Sequence, residues 1–193
     1  KIQESYDSYL KTLALDPNYS YALKGIAWIV FSKERNTNEA NRIIDAIIST
    51  HNTPDFYLLK SQIAQFEGNK SEEIKNKNAY FFMMEKNNYG AMYNKYNALI
   101  YADDKKTASK ALEIAKIEVE HRPTADSYDL LAWAYLNVGE NKKALEIAQN
   151  HVVGKSFEPK VQYHLAMIYK SNNLALKAKP IKEELLSKIG RAH

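Results

Sequence analysis

The chain has 193 residues, is 45% hydrophobic and 26% charged, and sets 27 Lys and Arg against 23 Asp and Glu for a net charge of +4. That length can bury a core, while 6 Gly and 5 Pro are too few turn formers for a many-stranded β fold. The absence of Cys excludes a disulfide framework, a zinc–thiolate site and a cysteine nucleophile, and no apolar run approaches the roughly 20 residues of a membrane span.

In chain order, the first segment carries Tyr6, Tyr9, Leu10, Leu13 and Leu15 at helical spacing and closes on Asp16-Pro17. It reads as the second helix of a pair whose first helix is missing. Because the chain opens at Lys1 inside that pattern, a preceding segment is expected to have been removed, leaving the compartment open between cytoplasm and export. Leu23, Ile26, Ala27 and Val30 then begin a helix, Arg35 to Asn38 form a turn, and Ala40, Ile44, Ile47 and Ile48 pack back from a second helix. After Pro54, Phe56, Leu59, Ile63 and Phe66 make a third stripe. Gly68-Asn69 breaks it, and Ile74, Ala79, Phe82 and Met83 make the answering face.

Asn88-Tyr89-Gly90 opens the least regular stretch, where Tyr93, Tyr96, Leu99 and Ile100 are bulky and distorted stacking is expected. Asp103-Asp104-Lys105-Lys106 is a solvated turn, followed by a helix bearing Ala108, Ala111, Leu112 and Ala115. The clearest pair runs from Thr124 to about Val153. Tyr128, Leu131, Ala132 and Tyr135 share one helical face, Gly139 breaks the helix, and Ala144, Leu145 and Ala148 form the facing stripe. Small residues beside large ones at Ala132 and Ala144 let two helices approach closely. Leu165, Ala166, Tyr169 and Ala178 repeat the scheme, with Asn172-Asn173 as a left-handed stop in place of Gly139. The stretch Gly190 to His193 is expected to end the last helix.

Pro17, Pro54, Pro123 and Pro159, with Asn88-Tyr89-Gly90, thus mark units spaced by roughly 35 residues, the period of helix–turn–helix solenoids. The expected units are a half repeat at 1–17, then 18–53, 54–88, 89–122, 123–157 and 158–190. They imply about eleven helices without a linker, in one domain over 1–193.

Tyr128, Leu131, Ala132, Tyr135, Gly139 and Ala144, and again Leu165, Ala166, Tyr169 and Ala178, resemble the tetratricopeptide repeat pattern at its offsets. The Leu15-Asp16-Pro17 ending is similar to that family's repeat end, whereas the other three units match by register rather than by letter. The resemblance implies an all-α, right-handed superhelix of about five helix pairs plus an N-terminal half repeat, whose first helices line a concave groove for a peptide or partner segment. It places on that groove Tyr21, Lys24, Trp28 and Phe31 in the first complete unit and Gln62 and Gln65 in the second. Asp129, Trp133 and Asn137 follow in the fourth, and Tyr163, Met167 and Lys170 in the last. Trp28 and Trp133 each follow a small-residue position, so the turn of about 100° per residue carries them off the helix–helix contact toward the groove. Some members clamp a C-terminal carboxylate with Lys and Asn. Lys24 fits, but Trp28 stands where Asn would be needed, so that clamp is not expected.

No chemistry is expected. His51, His121, His151, His164 and His193 lack a zinc spacing and are read as turn-edge residues, and Glu118, Glu120 and Glu183-Glu184 as helix-surface charges. Gly139-Glu140-Asn141-Lys142-Lys143 lacks the second glycine and the Lys-Ser/Thr of a phosphate loop. Asn18-Tyr19-Ser20 and Asn69-Lys70-Ser71 match the glycosylation triplet by chance in an Asn-rich chain. The richness in Lys, Asn, Ile and Tyr points to a low-GC bacterial gene. The expectation is therefore a protein-binding scaffold with no cofactor, no metal and no catalytic residue. The alternative is a single-stranded nucleic-acid binder using aromatic residues and the basic C-terminal stretch, where residues 155–193 hold eight basic side chains against three acidic ones.

Overall fold

Where the chain reverses is set by a few residues that adopt left-handed backbone. A computed structural model describes residues 2–190, with side chains through residue 187. The expected helix end at Gly190 to His193, with Arg191 and His193, falls largely outside the described residues.

The described residues form eleven α-helices and one 3-10 turn. They are α1 (Ile2–Leu15), α2 (Ser20–Ser32), α3 (Thr37–Thr50), α4 (Pro54–Phe66), α5 (Lys70–Lys86), the 3-10 turn (Gly90–Tyr93), α6 (Asn94–Ala102), α7 (Ala108–His121), α8 (Ala125–Asn137), α9 (Asn141–His151), α10 (Pro159–Ser171) and α11 (Ala175–Gly190). Consecutive helices pair as α2 with α3, α4 with α5, α6 with α7, α8 with α9 and α10 with α11. Four of the five reversals pass through positive φ, at Arg35 (57°), Gly68 (70°), Gly139 (85°) and Asn173 (59°). Glycine takes this conformation without the Cβ penalty, and Asn bears it better than most residues. Asn36 and Asn69 then cap the following helix by accepting from Glu39 N–H and Glu72 N–H. The first turn is shorter than expected, since Thr37 and Asn38 already belong to α3.

The α6–α7 reversal works differently. Thr107 Oγ1 donates to the Tyr101 carbonyl at 2.8 Å, and Lys106 N–H donates to Asp104 Oδ1 at 2.9 Å, so side chains hold this turn. Pro54 and Pro159 stand in the first turn of α4 and α10, where a missing N–H leaves no hydrogen bond unmade. Thr124 and Ser127 form a reciprocal capping box that starts α8.

The chain groups into two compact units, Lys1–Tyr89 and Gly90–His193. In the first, Ile26, Ala27, Val30 and Phe31 of α2 meet Ala40, Ile44 and Ile47 of α3 and Phe56, Leu59 and Ile63 of α4. Helix α4 touches both α2 and α3, the arrangement of stacked helix pairs. Helix α1 lies on α2 through Tyr6, Tyr9 and Leu13, leaving Leu10 and Leu15 exposed. Helix α5 departs from the expected stripe. Ile74 and Phe82 are exposed, and the buried face is Glu73, Asn76 and Tyr80. The Glu73 carboxylate is tied to Lys70 at 2.9 Å and Lys77 at 2.7 Å, and Asn76 Nδ2 donates to the Glu72 carbonyl at 2.8 Å. Those partners offset the desolvation that would otherwise keep such side chains out.

In the second unit α8 touches α6 and α7, and α10 touches α8 and α9, repeating the same stacking. The irregular stretch expected at its start takes the form of a 3-10 turn and a nine-residue α6. Its helix contact nevertheless uses small residues, Ala98 and Ala102, against Ala111 and Ala115 of α7, while Tyr96 is exposed. Ala132, Ala144 and Ala148 are fully buried as their spacing implied.

Gly25 of α2 faces the Tyr9 ring, and a Cβ there would collide with Tyr9 Cζ. Gly25→Ala therefore displaces the ring and should lower stability by about 1 kcal/mol through overpacking. In a Tyr9→Ala background the same change should raise stability by roughly 0.5–1 kcal/mol, because Ala is the better helix former. Urea unfolding of the four variants reads this reversal of sign.

Candidate partner-binding face

The leading helices are α2 and α4 in the first unit and α6, α8 and α10 in the second, and the candidate residues lie on all of them but α6. On α2, Tyr21, Lys24 and Trp28 fall at i, i+3 and i+7 and so share one stripe. Tyr21 is exposed and Trp28 is 48% exposed. Lys24 reaches across to Asp55 in the first turn of α4, Nζ to Oδ1 at 2.9 Å. The carboxylate suits that position because it meets the positive end of the α4 dipole. Gln62 and Gln65 are exposed on α4.

Phe31 does not belong to this surface. It is buried in the core of the first unit, because residues of α3 and α4 pack around it and Phe66 at the end of α4 covers it. It still acts on the surface through its edges. Trp28 and Phe66 both meet it edge to face, at ring separations of 5.9 and 5.6 Å, and the Arg35 guanidinium lies over Phe66 at 5.2 Å. Phe66, read from its spacing as a core residue, is in fact exposed and extends this aromatic row. Periodicity could not show this, since Phe66 ends its helix at a turn. On its other side Trp28 borders a cleft of 260 Å³ between α1 and α2, also lined by Ile2, Ser5, Tyr9, Gly25, Ile29 and Ser32.

In the second unit, Trp133 on α8 is half-buried and Tyr163 on α10 is 49% exposed, with ring centroids 5.9 Å apart. Asn137 is half-buried and donates from Nδ2 to the Trp133 carbonyl at 2.8 Å. Met167 is half-buried and Lys170 exposed further along α10. Asp129 is not on the surface. It is buried at 6% exposure because His164 of α10 meets it, Nδ1 to Oδ2 at 2.7 Å, and draws it into the α8–α10 contact. His164 is likewise interior rather than at a turn edge, with Trp133 stacked flat on its ring at 4.1 Å and 12°. Burial holds the Asp129 carboxyl above its ordinary pKa, with the His164 hydrogen bond acting in the opposite sense.

Two further features were not legible from spacing. Lys95 of α6 pairs with Asp126 in the first turn of α8 at 3.3 Å, the same lysine-to-next-leading-helix link that Lys24 makes with Asp55. In both links the partners are 31 residues apart. Glu118 is buried rather than a surface charge, held by Asn94 Nδ2 at 2.9 Å and by Arg122. Together with Lys95, Thr124, Asp126, Ser127 and Leu130, Glu118 and Arg122 line an open polar cleft of 210 Å³. Among the described residues, no group of three or more His, Cys, Asp and Glu is placed to hold a metal ion.

No family model matches the chain, and no curated protein matches it. The Lys24–Asp55 link is itself open to test. Lys24→Asp sets two carboxylates face to face and should cost about 1 kcal/mol, the upper range for a partly exposed pair. Adding Asp55→Lys restores the attraction but puts a cation at a helix N-terminus, so thermal denaturation should show most, not all, of the loss recovered.

Proposed function

We propose that this chain is a protein-binding scaffold of tetratricopeptide kind, without chemistry of its own, whose leading helices hold an extended peptide or partner segment. On this reading the helix pairs wind as a right-handed superhelix, and the protein comes from a bacterium. The observation that carries it is the pair of half-exposed aromatic surfaces on leading helices, Tyr21 with Trp28 in the first unit and Trp133 with Tyr163 in the second. Tryptophan and tyrosine give a partner large rigid area at small entropic cost and dominate measured binding hot spots.

The stacking pattern adds support. Leading helices α2, α4, α8 and α10 are each covered by their own follower and by the preceding follower. Their uncovered sides carry residues such as Gln62, Gln65 and Lys170, which can bond a peptide backbone. Three of the five lysines on these helices are engaged by carboxylates, Lys24 by Asp55, Lys60 by Asp45 and Lys95 by Asp126, leaving Lys160 and Lys170 of α10 outside such pairs. That arrangement favours a polypeptide over a phosphate backbone, whose binding depends on cations that no carboxylate already holds.

Selection of a displayed random-peptide library on the folded protein tests the reading. Trp28→Ala and Trp133→Ala, each confirmed as folded by circular dichroism, should weaken the selected peptides by at least about tenfold, the effect of a modest hot spot. Unchanged capture by the double variant, or a salt-dependent complex with single-stranded DNA in place of peptide binding, would refute it.

A further inference from the structure

Asp129 on α8 and His164 on α10 form a polar contact inside the second unit, at 6% and 2% exposure. Oδ2 of the carboxyl meets Nδ1 of the imidazole at 2.7 Å. Oδ1 is the one buried side-chain nitrogen or oxygen, among the described residues, that has no hydrogen-bond partner. An ionised carboxylate with one oxygen left bare in the interior is far costlier than a neutral carboxyl in the same place. Oδ1 is closed off from bulk solvent. The remaining way to lower its cost is internal. A protonated carboxyl donates Oδ2–H to Nδ1 of a neutral imidazole, and Oδ1 becomes a carbonyl oxygen, a weaker acceptor that bears burial better.

We propose that Asp129 and His164 are a proton-dependent latch between the leading helices of the last two helix pairs, closed while the Asp129 carboxyl keeps its proton and loosened when that proton leaves. The protonated pair carries no net charge. Its deprotonated form leaves a bare carboxylate in the α8–α10 contact, with His164 Nδ1–H now donating to it. The charges around the pair do little to relieve this. On α8, Asp126 repels the carboxylate, and Lys160 of α10 attracts it from a distance without forming an ion pair while also feeling Lys95 of α6 and Asp103 just beyond that helix. Glu118 of α7 is turned to Asn94 and Arg122, His151 of α9 stacks on Tyr128, and Lys177 of α11 lies over Tyr169. Trp133 rests on the His164 ring, so its environment reports the state of the latch.

The pH dependence follows from the sign of the shift. The folded carboxyl holds its proton to higher pH than the unfolded one. Its stabilisation is therefore complete below the ordinary aspartate range and is lost as pH rises through the folded value.

Carbon NMR of the native protein, following Asp129 Cγ from about pH 4 to about pH 9 across the ordinary range of both groups, decides the matter. The expected result is a Cγ that stays at its protonated position after the exposed aspartates have ionised. It then shifts in one step, together with a red shift of Trp133 emission in a Trp28→Phe background. Asp129→Asn, whose amide can donate to Nδ1 as the acid does, should abolish the emission step and keep Trp133 in its low-pH state throughout. A Cγ already ionised at the lower end, or an emission step that persists in Asp129→Asn, overturns the latch. If Asp129→Asn does not fold, the Cγ titration of the unaltered chain is sufficient by itself. The latch stands or falls independently of whether this face holds a partner.

Discussion

Close approach of helix backbones is the constraint on which the rest depends. At the contacts stand alanines with no exposed surface at all, Ala27 and Ala40 in the first unit and Ala98, Ala111, Ala115, Ala132, Ala144 and Ala148 in the second. A methyl group there lets two helices come near enough for larger neighbours such as Ile44, Ile63 and Ile168 to fill the space around the crossing. A larger side chain at any of these sites would push a pair apart and strain its partners. In α2, α4, α8 and α10 the crossing takes up one face and the preceding follower covers another, so a single side of each remains open.

That geometry also explains which polar residues are interior. Where leading helices lie side by side, charged groups are paired across the contact. Lys24 with Asp55 and Lys95 with Asp126 do this at the rim, where water still reaches both ions. Asp129 with His164 does it inside, where a carboxyl is tolerated because a proton or an imidazole answers it. Trp133 lies over this pair, its ring stacked flat on the His164 imidazole. Trp28, by contrast, is supported edge-on by Phe31, a purely apolar arrangement that pH does not touch.

The number of helices, the places where they break and their pairing were legible in the linear chain, because each rests on local chemistry. Apolar spacing marks a helix, and Gly139, Gly68 or Asn173 marks a reversal that few other residues make cheaply. The exposure of Trp28 was legible from its offset from Ala27, whereas Trp133 at the same offset from Ala132 is half-buried, and Tyr21 and Tyr163 were expected at the surface only from the resemblance. Where two sequence rules competed, the reading failed. In α5 the apolar residues Ile74 and Phe82 suggested one face, yet the helix buries Glu73, Asn76 and Tyr80, since two lysines neutralise the glutamate. At α6 the bulky tyrosines obscured Ala98 and Ala102, which make the contact.

The sequence by itself determined an all-helical chain of successive helix pairs and the turns that separate them, because backbone propensity and side-chain period act within a few residues. Only the tertiary structure decided that Phe31, Asp129 and Glu118 are interior, that Phe66 is exposed, and that His164 faces a carboxyl 35 residues away. Burial of a charged or aromatic side chain depends on what surrounds it in the packed helices, and for Asp129 that partner lies about one repeat away in the chain.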